Sequence, residues 1–534
     1  MKIYHNGSII TMEDGQPMAE VLVEEDGRIA FVGSRAEAAP YLTDARAEFV
    51  DLAGRTLMPA LLDAHSHISD TAMLLKSANL QEAASFDEIV AILKDFTDSH
   101  DTSQMPFVIG LGYDHNALAE HRHPDKFLLD AAFPDIAVVI CHTSIHMCVV
   151  NSKMMELIGL TADTPVPEGG VIGRVGDTTE PDGYLEETAF NPVYEMVCKQ
   201  LALTADDIAN TQAFYMQYGI LTIQEGSTDA PIVRACRQAA DEGKLVCDLV
   251  AYPAFNFGRG IGSVFEDYSD CVRQYKDHFK LGGYKLILDG SPQGRSAWMS
   301  EPYEGTEDFC SYPWLSDEEV QAYTDQCIRD HQQVLAHCNG DAASEQFLAC
   351  CERSLAKYPD PDARPVMIHC QTVRDDQLER MAAIGMIASF FVDHVYYWGD
   401  IHLKNFGPVR GSHISPVRAA IERDVVYNFH TDSPVVYPKL FQTAWTAVNR
   451  ITKGGIVLGA DQRVDVWEAL KGLTINAAYG YFEENEKGSL KVGKLCDLII
   501  LDKDPLVIDP ADLKDIRVLA CIKEGQRVYT RPAQ

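Results

Sequence analysis

The stretch at residues 61–70, LLDAHSHISD, decides how the rest of the chain is read. An apolar run at residues 57–61, interrupted by Pro59, leads into Asp63, Ala64, His65, Ser66 and His67. If the run is a strand, its side chains alternate faces. His65 and His67 then project to one side, about 6.6 Å apart, with Asp63 behind them. Two imidazoles so placed can hold one divalent ion. An isolated pair of this kind is more often two surface histidines at a strand end. The segments downstream change that balance.

From residue 204 the chain alternates helix and strand patterns. The strands read as ILTIQEG, VCDLVAYP, GYKLILDG, QQVLAHCNGD, RPVMIHCQ, GMIASFFVDH, with His394 ending strand seven, and VVYNFHTDSP. Helix signals lie between them, among them Thr204 with Asp207 and Ser316 with Glu319 at capping-box spacing. With the LLDAH strand these make eight, the number a (β/α)8 TIM barrel requires. The fold class expected is therefore α/β.

The barrel is expected over residues 57–70 and 204–481. Residues 1–56 and 482–534 are strands and turns, with Asn6-Gly7 and Asp26-Gly27 as hairpin signals. Neither end has enough material to bury a core alone, so the two are expected to pair into one β-sandwich. Residues 71–203 are too long for a connecting loop and carry apolar strands of their own. They read as an inserted α/β domain, placed after the first barrel strand as a lid.

At 534 residues the chain is too long for one compact core. A net charge of −34 argues against nucleic acid or an anionic membrane as partner, because both would repel it. No apolar run approaches the roughly 18 residues of a membrane span, and the N-terminus lacks the apolar core of a signal peptide. The fourteen cysteines show no CxxC pair, and several sit in apolar strands, which fits a reduced, cytoplasmic protein. A small molecule is the expected partner, and a homodimer is compatible with the sequence.

Barrel enzymes carry their chemistry at the C-terminal ends of the strands. Ligand-type residues fall there in sequence: His65 and His67 on strand one, Lys285 on four, His337 on five, His369 on six and Asp432 on eight. Each alone has an ordinary structural explanation. Six coincidences that respect one barrel's geometry do not, so the set is read as a metal centre.

The chain resembles the amidohydrolase superfamily, and within it the family-3 branch best known for deformylating N-substituted formamides. MPALLDAHSH, VVNSKMM, GYKLILDGSPQGRS, VLAHCNGDAAS, MIHCQ, TDSPV and GSLKVGKLCDLIILDKDP carry the likeness. The resemblance implies two divalent metal ions, zinc first, with manganese or iron as alternatives. His65, His67 and Asp432 would bind one ion and His337 and His369 the other. Lys285, carboxylated by carbon dioxide, would bridge the two. It also implies hydrolysis of a non-peptide C–N bond in a small amide or formamide, with Asp432 as general base.

The residue types suit that chemistry. An unmodified ammonium has no lone pair and repels cations, whereas a carbamate offers two oxygens. One metal lowers the pKa of water towards about 7 and a second polarises the carbonyl. Asp432, within hydrogen-bond reach of that water, can take its proton and return it to the leaving nitrogen.

The chain departs from the family pattern at Ala60 and Cys496, both mild changes. His430 stands where the branch tends to have glycine, two residues before Asp432; it is a candidate substrate contact or, equally, a residue that only packs against the barrel mouth. Further substrate-binding candidates are Arg295, His146, Asn151 and His394. A mononuclear deaminase would need a glutamate soon after His337, but Cys338, Asn339, Gly340 and Asp341 follow. An esterase on the same barrel is a further alternative. A non-catalytic binding module would be expected to have lost several of the six ligands.

Overall fold

A computed structural model describes residues 1–99, 105–115, 117–144, 146–257 and 261–532. The chain divides into two compact units, one formed by Met1–Ile68 with Ala205–Gln534 and the other by Ser69–Thr204. The architecture is mixed α/β.

In the larger unit, eight parallel strands carry the site. They are β1 (Leu61–Leu62), β2 (Ile220–Thr228), β3 (Asp248–Pro253), β4 (Gly283–Ile287), β5 (Gln333–Cys338), β6 (Val366–His369), β7 (Ile387–Phe390) and β8 (Tyr427–Phe429). One sheet runs β1-β2-β3 and ends on a short strand, Phe279–Leu281. The other runs β4-β5-β6-β7-β8. A parallel bridge joins Ala254, just past β3, to Lys285 in β4. Past β8, Asp432 N donates to His65 O (3.0 Å) and His67 N to Ser433 O (2.8 Å).

All six residues of β3 are buried, which is why VCDLVAYP shows no polar alternation. Leu62, Val250, Tyr252, Leu335, Ile368 and Ile387 pack into one cluster drawn from five of the strands. The helices between strands are amphipathic. Asp317–Arg329 begins with the capping box read from the sequence, in which Ser316 accepts from Glu319 N.

The chain ends share a six-stranded sheet. Thr56–Pro59 pairs antiparallel with Leu498–Leu501, and Leu57, Leu498, Ile500 and Ile522 lie in one core with Tyr4 and Leu22.

The smaller unit is built on a six-stranded sheet running from Gly170–Arg174 at one edge to Ala78–Asn79 at the other. Two-residue alternation sorts its interior. Val108, Val138, Ile140 and Val149 pack on one face, and Ile109, Val139, Cys141 and Val150 on the other.

Two local expectations are corrected. The first strand stops at Leu62, so His65 and His67 lie beyond it; its ladder with β2 slips register between Ile220 and Thr222. His394 does not end strand seven. β7 stops at Phe390 and His394 opens the helix His394–Ser412, following Asp393.

Candidate metal centre

Four imidazoles and a carboxylate converge at the C-terminal ends of the strands. The His65 and His67 rings are 4.9 Å apart, His65 and His369 5.8 Å, and His337 and His369 4.5 Å. Asp432 Oδ1 lies 3.2 Å from His67 Nε2 and 3.4 Å from His65 Nε2. The ligand atoms of His65, His67 and Asp432 all fall within 4.8 Å of one another. Lys285, mid-strand in β4 and buried, points Nζ at His65 Nε2 (3.3 Å).

Backbone conformation sets two of these groups. His369 (φ 75°) and Asp432 (φ 56°) both sit in the left-handed region, an unusual conformation for residues with a Cβ. Such residues cost about 1 kcal/mol or more and gather at functional sites. Gly226 is obligatory for a different reason: a Cβ there would come within 2.4 Å of the His65 ring.

A second ring of side chains orients the first. Gln224 Oε1 lies 2.6 Å from His65 Nδ1, while Gln224 Nε2 donates to Ala64 O (2.7 Å) and to Tyr481 Oη (3.1 Å). Since its Nε2 is spent as a donor, Gln224 can only accept from His65 Nδ1–H, so His65 Nε2 carries its lone pair toward the centre. Asp289 does the same for His337. Its Oδ1 is 3.0 Å from His337 Nδ1, and its carboxylate also accepts from the backbone amides of Asn339, Gly340 and Trp298. Asp63 accepts from Thr431 N (3.1 Å) and Thr431 Oγ1 (2.5 Å), which anchors the loop that carries Asp432.

Burial dominates the electrostatics. It pushes the Lys285 ammonium down to about 8, bringing the uncharged amine within reach of neutral pH. Burial, then Lys285 and His67, hold His65 well below its ordinary value; burial and then His337 do so for His369. Burial works to raise the Asp432 carboxyl, but the His67 hydrogen bond and the neighbouring His369 and His65 outweigh it and keep it well below the usual carboxylate range. Imidazoles of which burial holds His65 and His369 neutral, an ionised carboxylate and a lysine near its neutral form are a donor set that fits divalent transition metals.

The remaining candidates separate. His430 is completely buried, with Nδ1 2.9 Å from Ser389 Oγ and Nε2 3.2 Å from His369 Nδ1. Both nitrogens are committed, so His430 orients His369 and has none left for a substrate. His394 is buried, its ring 6.0 Å from His369, and its Nδ1 has no hydrogen-bond partner among the described residues. Arg295 donates through Nε to Asn405 Oδ1 (2.8 Å).

Asn151 is not a substrate contact. It caps the helix Ser152–Ile158, its Oδ1 accepting from Val138 N and Met154 N and its Nδ2 donating to Phe133 O and Ile136 O. Those four bonds exhaust its side chain. His146 lies in the smaller unit, largely exposed, with Nδ1 3.2 Å from Glu187. Gln224 and Asp289 were missed in the sequence. Their signals were a glutamine inside the apolar run ILTIQEG and an aspartate closing LILDG.

A parallel-strand α/β unit with histidines and an aspartate at or just past its strand ends and a lysine within β4 defines a class of metal-site scaffold, and comparison with known proteins narrows it. The chain belongs to the amidohydrolase family, whose model matches residues 48–529. It is 25% identical to N-substituted formamide deformylase of Arthrobacter pascens, covering 98% of both chains. It is 24% identical to the putative amidohydrolase YtcJ of Bacillus subtilis (strain 168), over 99% of both. Among solved structures, an uncharacterized metal-dependent hydrolase of Pyrococcus horikoshii superposes with a TM-score of 0.76 at 26% identity, covering 95% of this chain and 99% of that one. No helix among the described residues is long and apolar enough to cross a membrane.

Proposed function

We propose that this chain is a metal-dependent hydrolase that cleaves a non-peptide C–N bond in a small amide or formamide, on a (β/α)8 barrel whose eight strands are β1 to β8. The observation that carries the reading is the convergence of His65, His67 and Asp432 beside a buried Lys285. The 25% identity to a formamide deformylase over nearly the full length of both chains supports the bond type.

His65, His67 and Asp432 would hold one ion, His337 and His369 a second, and Lys285 would bridge them as a carbamate. Zinc is the ion these ligands suit best, with manganese or iron next. When bound, the ions supply Lewis acidity at the carbonyl and a lowered pKa for water. The chain's own residues do the rest. Asp432 takes one proton from the attacking water as the new C–O bond forms. It returns that proton to nitrogen as the C–N bond breaks, giving a carboxylate and an amine. Gln224, Asp289 and His430 hold the imidazoles so that no reorientation is needed during turnover. Arg295 orients a polar or anionic substrate group through its outer guanidinium nitrogens, and His394 lines the pocket.

The test is kcat/KM for a matched amide and aryl ester in wild type and Asp432→Asn. An aryl ester needs no leaving-group protonation, so the variant should lose far more amide turnover than ester turnover. Equal losses on both would reduce Asp432 to a ligand, and activity confined to esters would remove the amide assignment.

A further inference from the structure

Within the smaller unit lies a second group of imidazoles that the chemistry above does not use. The strands Val108–Tyr113 and Val138–His142 run parallel, with Tyr113 opposite His142, so both end at the same edge of the sheet. Asp114 and His115 follow the first strand directly and His142 closes the second. His115 Nδ1 lies 3.1 Å from His142 Nε2, and Asp114 Oδ1 lies 3.9 Å from His115 Nδ1 and 3.7 Å from His142 Nε2.

We propose that Asp114, His115 and His142 form a second divalent-metal site, of zinc type, built into the Ser69–Thr204 unit.

The triangle has the right size. Zinc–ligand bonds of about 2.0–2.1 Å in a tetrahedron put ligand atoms roughly 3.3–3.4 Å apart, and edges of 3.1, 3.7 and 3.9 Å bracket that spacing. Two imidazoles and a carboxylate select first-row transition ions over calcium or magnesium, which prefer all-oxygen sets. The surroundings are organised too. The His123 ring stacks on His115 with centroids 4.0 Å apart and is held by Tyr113 Oη, 3.0 Å from its Nδ1.

Ser144 Oγ lies 2.9 Å from His142 Nδ1, an acceptor for the proton that nitrogen carries when Nε2 ligates. The Ser144 amide also points at Nδ1 (3.1 Å), so the ion-free chain favours the other tautomer, with Nε2–H shared with His115. Binding moves that one proton from Nε2 to Nδ1, which then donates to Ser144 Oγ and gives up the bond from the Ser144 amide. His142 is buried while His115 and Asp114 are partly exposed, leaving the fourth position open to solvent. An ion here would clamp two parallel strands at the ends where no short turn joins them.

The experiment is a Co2+ titration of chelator-stripped, full-length protein, followed by visible absorption, with far-UV circular dichroism as the folding control. A His67→Ala/His337→Ala/Asp432→Asn variant, which removes ligands of both ions of the candidate centre, should still bind one Co2+ per chain with tetrahedral-type absorption. Adding His115→Ala should abolish it, and adding His115→Cys instead should restore binding with a thiolate charge-transfer band. His142→Ala should behave like His115→Ala. If burial of His142 prevents that variant from folding, the partly exposed His115 decides the matter. Equal Co2+ binding with and without His115→Ala would overturn the site, as would no Co2+ binding in the His67→Ala/His337→Ala/Asp432→Asn protein; the imidazoles would then be a hydrogen-bonded pair only.

Discussion

Lys285 Nζ lies 3.3 Å from His65 Nε2, a lysine and a histidine that face each other in a fully buried environment. Two cation-forming groups so close are tolerated because neither is firmly charged there: burial lowers both. An amine near its neutral form is the nucleophile that carbon dioxide requires, so Lys285 is expected to be carboxylated. Native mass spectrometry should find one added carbon dioxide per chain, lost at low bicarbonate. Lys285→Ala should lose metal and turnover together; a variant that keeps both would remove Lys285 from the centre.

Gln224 and Asp289 each fix the tautomer of one histidine. Gln224→Leu and Asp289→Asn should each weaken metal affinity roughly 10- to 100-fold, the usual cost of losing an outer hydrogen bond to a ligand. Competition with a chromophoric chelator measures this directly. Unchanged affinity in both variants would mean that packing alone orients His65 and His337.

His430 is a positioning residue for His369. Burial holds it neutral, pushed down to about 3, so it acts as a hydrogen-bond partner and not as a charge. His430→Ala should lower metal content and kcat with little effect on KM, and His430→Gln, which keeps a hydrogen-bonding group, should recover part of both. A KM effect larger than the kcat effect would return His430 to the substrate.

Far from the centre, Asp248 is buried with Lys487 and Lys523, the Lys523 Nζ–Oδ2 distance being 2.8 Å. Burial would raise the Asp248 carboxyl, but Lys487 and Lys523 pull it well below the usual carboxylate range. Its folded value therefore lies below its unfolded one. The stability it contributes is complete above about pH 4 and is lost as pH falls through the lowered folded value. Asp248→Asn removes the carboxylate that the two lysines share, but Lys487 keeps Glu483 and Lys523 keeps Asp497, so the loss should be about 1.5–3 kcal/mol near neutral pH. Urea unfolding should show the gap to wild type shrinking in acid, and a pH-independent gap would contradict the ion-pair account.

What the sequence disclosed follows from where the information lies. His65, His67, His337, His369 and Asp432 could be grouped because each follows an apolar strand, and parallel strands bring their ends together whatever the loops do. Gln224 lies 159 positions from His65, and Asp289 is 48 from His337. Neither partnership has a local pattern. The choice between a substrate contact and packing for His430 could not be read from the sequence, because its surroundings come from Ser389 and His369 on the two preceding strands. Asn151 is a different case: an asparagine directly before a helical run is an N-cap signal, and its cap geometry explains it without any ligand.

Metal-dependent hydrolysis of a C–N bond in a small molecule is open to a single direct assay. Purified protein is assayed on a panel of small N-substituted formamides and amides as isolated, after chelation, and after Zn2+ is restored. The account predicts that at least one amide is converted to carboxylate and amine, that chelation abolishes this turnover, and that Zn2+ returns it. Amide turnover that survives complete removal of metal would contradict the account, as would fully metal-loaded protein that turns over none of the panel.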